Sequence, residues 1–285
     1  MNLLDGTLQR WLPRRWRRVQ APPAPLWHGI VQRHPFLAEL STAEQQRLRL
    51  LVAHFLLEKE FHGAHGLVVT DTMALTVAAQ ACLPLLHMRP PSGRLATHPT
   101  QVLDWYDDFV GIVIQPGAAV ARRSRADAVG VVHQYDEVLA GEAMDRGPVM
   151  LSWEDVSAAP WTVAQGHNLV IHEFAHKIDM RGLHGGDSAD GAPTLPAGLW
   201  GLEHAHQVRE RWHTTMSTAY ERFREAVSLA ERFGGEVPWL DAYGASHPAE
   251  FFSVSCEAYF VNRPRFASEF PELLALYDGF FHPDR

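Results

Sequence analysis

Cysteine is almost missing: Cys82 and Cys256 are the only two in 285 residues. Two thiols cannot build a disulfide framework or a four-cysteine zinc site, and they fit a reducing cytosol. Lysine is as scarce. Of 25 positive charges only Lys59 and Lys177 are lysines, a bias that reads as genome composition rather than function. No run of 18 apolar residues occurs, so no transmembrane helix is predicted. The basic run at residues 11–18 has no apolar stretch behind it, unlike a secretory signal. It reads as a solvated arm, with a membrane-surface or partner-binding segment as the sharper alternative. Repeats and low-complexity tracts are absent. A net charge of −8 argues against direct nucleic-acid binding by charge alone. A cytoplasmic protein is expected.

Hydrophobic residues make up 46% of the chain, aromatics 10% and charged residues 20%, enough to build a core. Residues 1–25, ending in Ala21-Pro22-Pro23-Ala24-Pro25, read as a basic, linker-like arm. Residues 26–285 read as one domain, with a helical N-terminal part at 26–100 and the core at 101–285. Ser41 and Glu44 form a capping-box pattern before Leu48, Leu51, Val52 and Phe55, which follow at helical spacing. A second helix is predicted over 71–86. Short β-branched and apolar runs at 109–114, 129–132 and 148–153 predict strands. Helices follow at 168–180, 205–232, 248–262 and 271–280. The glycine-rich segment 182–201 reads as a surface loop or a lid. These elements predict an α+β fold, mostly helical with a small mixed sheet.

Seventeen histidines are the unusual count, and spacing has to decide which matter. His172-Glu173-Phe174-Ala175-His176 matches H-E-x-x-H, for which this composition gives roughly 0.06 chance matches. Ile171, Phe174, Ala175 and Ile178 make an apolar helical face, Asn168 can cap the start, and Gly182 sits past the end. On such a helix His172 and His176 lie one turn apart and can share one Zn²⁺ at about 2.0–2.1 Å, with Glu173 beside them. A third protein ligand is needed. A metzincin would carry glycine at 179 and histidine at 182; Asp179 and Gly182 exclude that class. The candidates are Glu250, Glu257 and Glu203. Glu250 and Glu257 share a helix face but sit roughly 10.5 Å apart, so one ion cannot take both. Pro248 suits the first helical position, with His247 as cap and Glu250 third, where a glutamate also stabilises a helix start.

The segment Val170-Ile171-His172-Glu173-Phe174-Ala175-His176-Lys177-Ile178-Asp179 resembles the Mlc titration factor A family of bacterial zinc peptidases. Further agreement lies in Ala79-Gln80-Ala81-Cys82-Leu83-Pro84-Leu85-Leu86, Leu139-Ala140-Gly141-Glu142, Arg146-Gly147-Pro148-Val149 and Pro248-Ala249-Glu250-Phe251-Phe252. The same helix, with Tyr243-Gly244 ahead of Ala249-Glu250-Phe251-Phe252, is also similar to the catalytic domain of anthrax lethal factor. The resemblance implies a zincin-like metallopeptidase domain of the gluzincin type, with one Zn²⁺ per chain held between two helices. It implies His172, His176 and Glu250 as zinc ligands, Glu173 as general base and Tyr243 as donor to the transition state. It further implies a peptide or protein substrate, an aminopeptidase-like preference, and binding of Mlc, a transcriptional repressor of glucose-uptake genes. The alternative is a repressor-titrating protein with little peptidase activity.

Several residues stay open. Asp179 shares the histidine face and is either a carboxylate that orients a ligand histidine or a helix-end surface charge. Glu257 is a supporting or surface group. His204, His206 and His213 do not suit one ion by spacing and read as solvated. Cys256 reads as a small core residue. The strand upstream of that helix is either the edge strand that zincin folds offer to an extended substrate or an ordinary strand of the sheet.

Overall fold

The computed structural model describes residues 19–117, 119–126, 132–139, 141–143, 147–182 and 190–283. The basic run at 11–18, most of the strand expected at 129–132, and Arg146 lie outside them. The described residues begin with α1 (Ala24–Arg33) and α2 (Pro35–Ala38), then α3 (Thr42–Glu58) and β1 (Glu60–Gly63). Helix α1 begins inside the stretch expected as a linker, with Pro23 as cap and a proline in the first turn. Proline suits that position because the first helical N–H groups have no intrahelical acceptor. Trp27, Ile30 and Val31 are buried. The capping box of α3 forms as expected, Ser41 and Glu44 bonding each other's backbone.

Helix α4 (Asp71–Cys82) stops short of residue 86. Pro84 has no N–H for the Gln80 carbonyl, which takes the Leu83 N–H at 3.3 Å instead and tightens the last turn. A 3-10 segment (Pro99–Tyr106) leads to β2 (Gly111–Gln115), β3 (Ala119–Ala126), β4 (Val132–Leu139), β5 (Gly141–Ala143) and β6 (Val149–Ser152). Strands β3 and β4 pair antiparallel as a ribbon. The other four form a mixed sheet in the order β1-β2-β6-β5. β1 and β6 flank β2 in parallel, and β5 runs antiparallel to β6. Of the two readings for β6, the ordinary strand holds and the edge strand does not, because β5 covers its second side. Trp153, expected in the strand, instead opens α5 (Trp153–Thr162), capped by Ser152.

The second half runs through α6 (Leu169–Met180), α7 (Ala205–Phe233), α8 (Pro248–Val261), α9 (Arg263–Glu269) and α10 (Pro271–Phe281). One hydrophobic core joins α1 to α10, and α6 runs through it, packed against α4, α8 and the sheet. Phe174 of α6 meets the rings of Phe55, Tyr106 and Phe109 at centroid distances of 5.0–5.8 Å. Among the described residues no helix is long and apolar enough to cross a membrane.

Both lysines of this arginine-rich chain are buried. The Lys59 ammonium donates to the carbonyls of Tyr106 and of Phe109, the latter at 2.7 Å. Lys177 lies 3.4 Å from Asp108 Oδ2 and 3.3 Å from the Gly147 carbonyl. The two nitrogens stand 4.1 and 4.8 Å from the centre of the Phe109 ring, within range for cation–π attraction. A compact ammonium fits such a pocket where a planar guanidinium does not. Lys59→Arg is therefore expected to destabilise the protein by about 1–3 kcal/mol, the usual range for overpacking. Urea unfolding measures it, and an unchanged midpoint would mean that the pocket has room to spare.

Candidate metal centre

Helix α6 starts where Asn168 caps it, Oδ1 accepting the Ile171 N–H at 3.0 Å. The same asparagine is tied to two other helices. Its Nδ2 donates to Gln80 Oε1 of α4 at 2.7 Å, and its backbone N–H donates to Glu257 of α8. Helix α8 begins with His247 as cap and Pro248 in its first turn, which puts Glu250 in that turn, facing α6. The register of one helix against the other is thus set at the level of His172.

Three side chains converge there. His172 Nε2, His176 Nε2 and Glu250 Oε2 lie 3.2 Å from one another on all three sides. Their side chains are only 12%, 11% and 20% exposed. Three ligand atoms that close together could all reach one ion at the usual bond lengths of about 2.0–2.2 Å and would leave a further position open. Two imidazole nitrogens and a carboxylate oxygen are a donor set suited to Zn²⁺. Among the described residues this is the one cluster that could hold a metal ion.

The electrostatics match the geometry. Burial alone would lower the His172 pKa, but hydrogen bonds to Glu250 and Glu257 outweigh it and hold the imidazole well above its ordinary range. Burial would raise the Glu250 carboxyl, and the two imidazoles pull it well below the usual carboxylate range. His172 Nδ1 meets Glu257 Oε1 at 2.7 Å. That bond keeps a proton on Nδ1, so a metal ion that displaced the proton on Nε2 would find that nitrogen's lone pair aimed at the triangle. Glu257, two turns along α8 from Glu250, thus reaches the opposite end of the same ring.

Glu173 is 3% exposed and close enough to His172 to raise its pKa. Tyr243 stands in a 3-10 turn (Ala242–Ala245) capped by Asp241, whose Oδ1 accepts the Tyr243 N–H at 2.9 Å. Its ring centre is 6.3 Å from that of His172, and the side chain is partly open to solvent. Asp179 is not a surface charge. It is buried, and its Oδ2 accepts the Gly191 N–H at 2.8 Å. Among the described residues it makes no hydrogen bond to His172 or His176, and burial lifts its pKa to about 7. His204, His206, His213 and Glu203 are exposed and take no part in the cluster. Cys256 is buried.

A buried two-histidine, one-carboxylate cluster on two facing helices is the form of a metallopeptidase centre. The chain belongs to the glucose-regulated metallo-peptidase M90 family, whose profile matches residues 8–282. It is similar to proteins named Mlc titration factor A. That of Klebsiella pneumoniae subsp. pneumoniae is 31% identical over 252 residues, covering 88% of this chain and 83% of the relative. That of Escherichia fergusonii is 31% identical over 270 residues, covering 93% and 89%. The Cronobacter sakazakii protein is 31% identical over 250 residues, covering 88% and 83%.

The pairing of Glu257 with the far nitrogen of His172 yields a graded expectation. Glu257→Ala should weaken zinc binding about 10–100-fold, as loss of a carboxylate behind a ligand histidine does. Glu250→Ala should weaken it further. Competition with a chelator measures both, and the reverse order would mean that α8 is set against α6 in the wrong register.

Proposed function

We propose that this chain is a zinc-dependent peptidase, with His172, His176 and Glu250 as ligands of one ion. The 3.2 Å triangle of their ligand atoms is the observation that carries the reading. A Zn²⁺ ion there would supply Lewis-acid chemistry, polarising a scissile carbonyl and acidifying a water toward neutral pH. The protein's own groups divide the remaining work. Glu173 accepts the proton of the attacking water and returns it to the leaving amine. The Tyr243 hydroxyl donates to the oxygen on which charge develops. Glu257 holds His172 in the tautomer that leaves Nε2 free. The substrate is a short peptide or a protein N-terminus, the aminopeptidase-like preference that the family resemblance implies.

A regulatory role runs beside this activity. The relatives' name, Mlc titration factor A, supports an Mlc-type transcriptional repressor as partner and hence a cytoplasmic setting. The second reading, a repressor-titrating protein with little peptidase activity, leaves Glu173 without a task.

Glu173→Gln separates the two readings. It should retain zinc and lose peptide turnover by at least about 10²-fold, the low end for general acid–base catalysis. Peptidase activity close to wild type in a zinc-loaded variant would remove Glu173 from the mechanism. Tyr243→Phe should lower kcat with little change in KM or zinc content, the pattern of a contact made only in the transition state. If kcat does not change, the tyrosine only packs against His172.

A further inference from the structure

We propose that Gly191 is a spacer between the two helices that carry the candidate metal ligands, and that its missing side chain sets where Glu250 stands relative to His176. The inference rests on the metal-centre reading above. Gly191 belongs to neither helix, yet it touches both. Its N–H donates to Asp179 Oδ2 at 2.8 Å, and Asp179 lies one turn beyond His176 on α6. Its carbonyl accepts from Trp212 Nε1 of α7 at 2.8 Å. Both partners are 1% exposed, so the glycine's backbone is clamped from two sides by groups that cannot turn to water.

The third side faces α8. A Cβ on Gly191 would lie 2.8 Å from the Pro248 carbonyl oxygen and 3.5 Å from the Phe252 Cβ. Those two residues bracket Glu250. The obstacle is helix backbone, which cannot swing aside as a side chain can. Ordinary contact begins at 3.4 Å, so a methyl group would push the two apart by about 0.6 Å. Coordination distances tolerate only about 0.2 Å. The glycine is held by its two hydrogen bonds, so the start of α8 is the part that gives way, and Glu250 moves with it. Its φ of +78° also favours glycine, so strain has to be separated from contact.

Gly201 supplies that control. Its φ is +74°, and an added Cβ would meet nothing within 4 Å. The experiment measures zinc affinity by chelator competition on full-length wild type, Gly191→Ala and Gly201→Ala, and the visible absorption of each with Co²⁺ in place of zinc. Gly191→Ala should bind zinc at least about 10-fold more weakly, the low end for disturbing a ligand's support, with Gly201→Ala within about twofold of wild type. The Co²⁺ bands should change in Gly191→Ala alone, reporting altered ligand geometry. Wild-type affinity and spectrum in folded Gly191→Ala would overturn the proposal, as would equal losses in both variants. If Gly191→Ala does not fold, Trp212→Phe removes the donor to the Gly191 carbonyl and keeps a ring. It should weaken zinc in the same direction, and wild-type affinity there would overturn the clamp. A wild type that binds no zinc would instead refute the metal-centre reading itself.

Discussion

Helix α6 is buried almost all the way round, yet five of its twelve residues are ionisable: His172, Glu173, His176, Lys177 and Asp179. Removing charges from water is costly unless each is paired or hydrogen-bonded. The surrounding structure supplies those partners. Glu250 and Glu257 come from α8 to His172, and Glu250 also reaches His176. Asp108 and the Gly147 carbonyl meet Lys177 from the two segments that lead into β2 and β6. The Gly191 N–H meets Asp179. Four of the five ionisable groups on α6 thus meet a polar partner brought by a neighbouring segment.

Much of this arrangement is legible in the sequence where a local rule applies. Asn168 marks the start of α6, and the His247–Pro248 pair marks that of α8, because both are cap signals with a direct backbone partner. Helical spacing alone put the two histidines on one face. The sequence is silent where one element meets another. Periodicity fixes how residues sit around one axis but not which neighbour they face. Glu257 therefore looked remote from a site that it reaches through the length of an imidazole ring. Strand β5 is three residues long, too short to show alternation, so its cover over β6 left no trace. Pro160 lies inside α5 and hid that helix. The prolines near α1 looked like a linker because the same residue type serves stiff coil and the first helical turn.

The two lysines carry a related lesson. As a count they reflect an arginine-rich genome, and nothing in their spacing sets them apart. Their positions in the fold do: both end in buried sites whose partners include backbone carbonyls and the Phe109 ring. A rare residue type inside a strong compositional bias points to places where the commoner relative does not fit.

The Asn168 junction joins residues far apart along the chain, with Gln80 88 residues before it and Glu257 89 after it. Synthesis proceeds from the N-terminus, so α4 and α6 are both made long before α8. A nascent chain that has reached α6 holds two histidines and no carboxylate to complete the triangle. Glu250, which completes the triangle, and Glu257, which meets the far nitrogen of His172, arrive together on one helix. The cluster therefore cannot assemble until the fold around it is nearly complete.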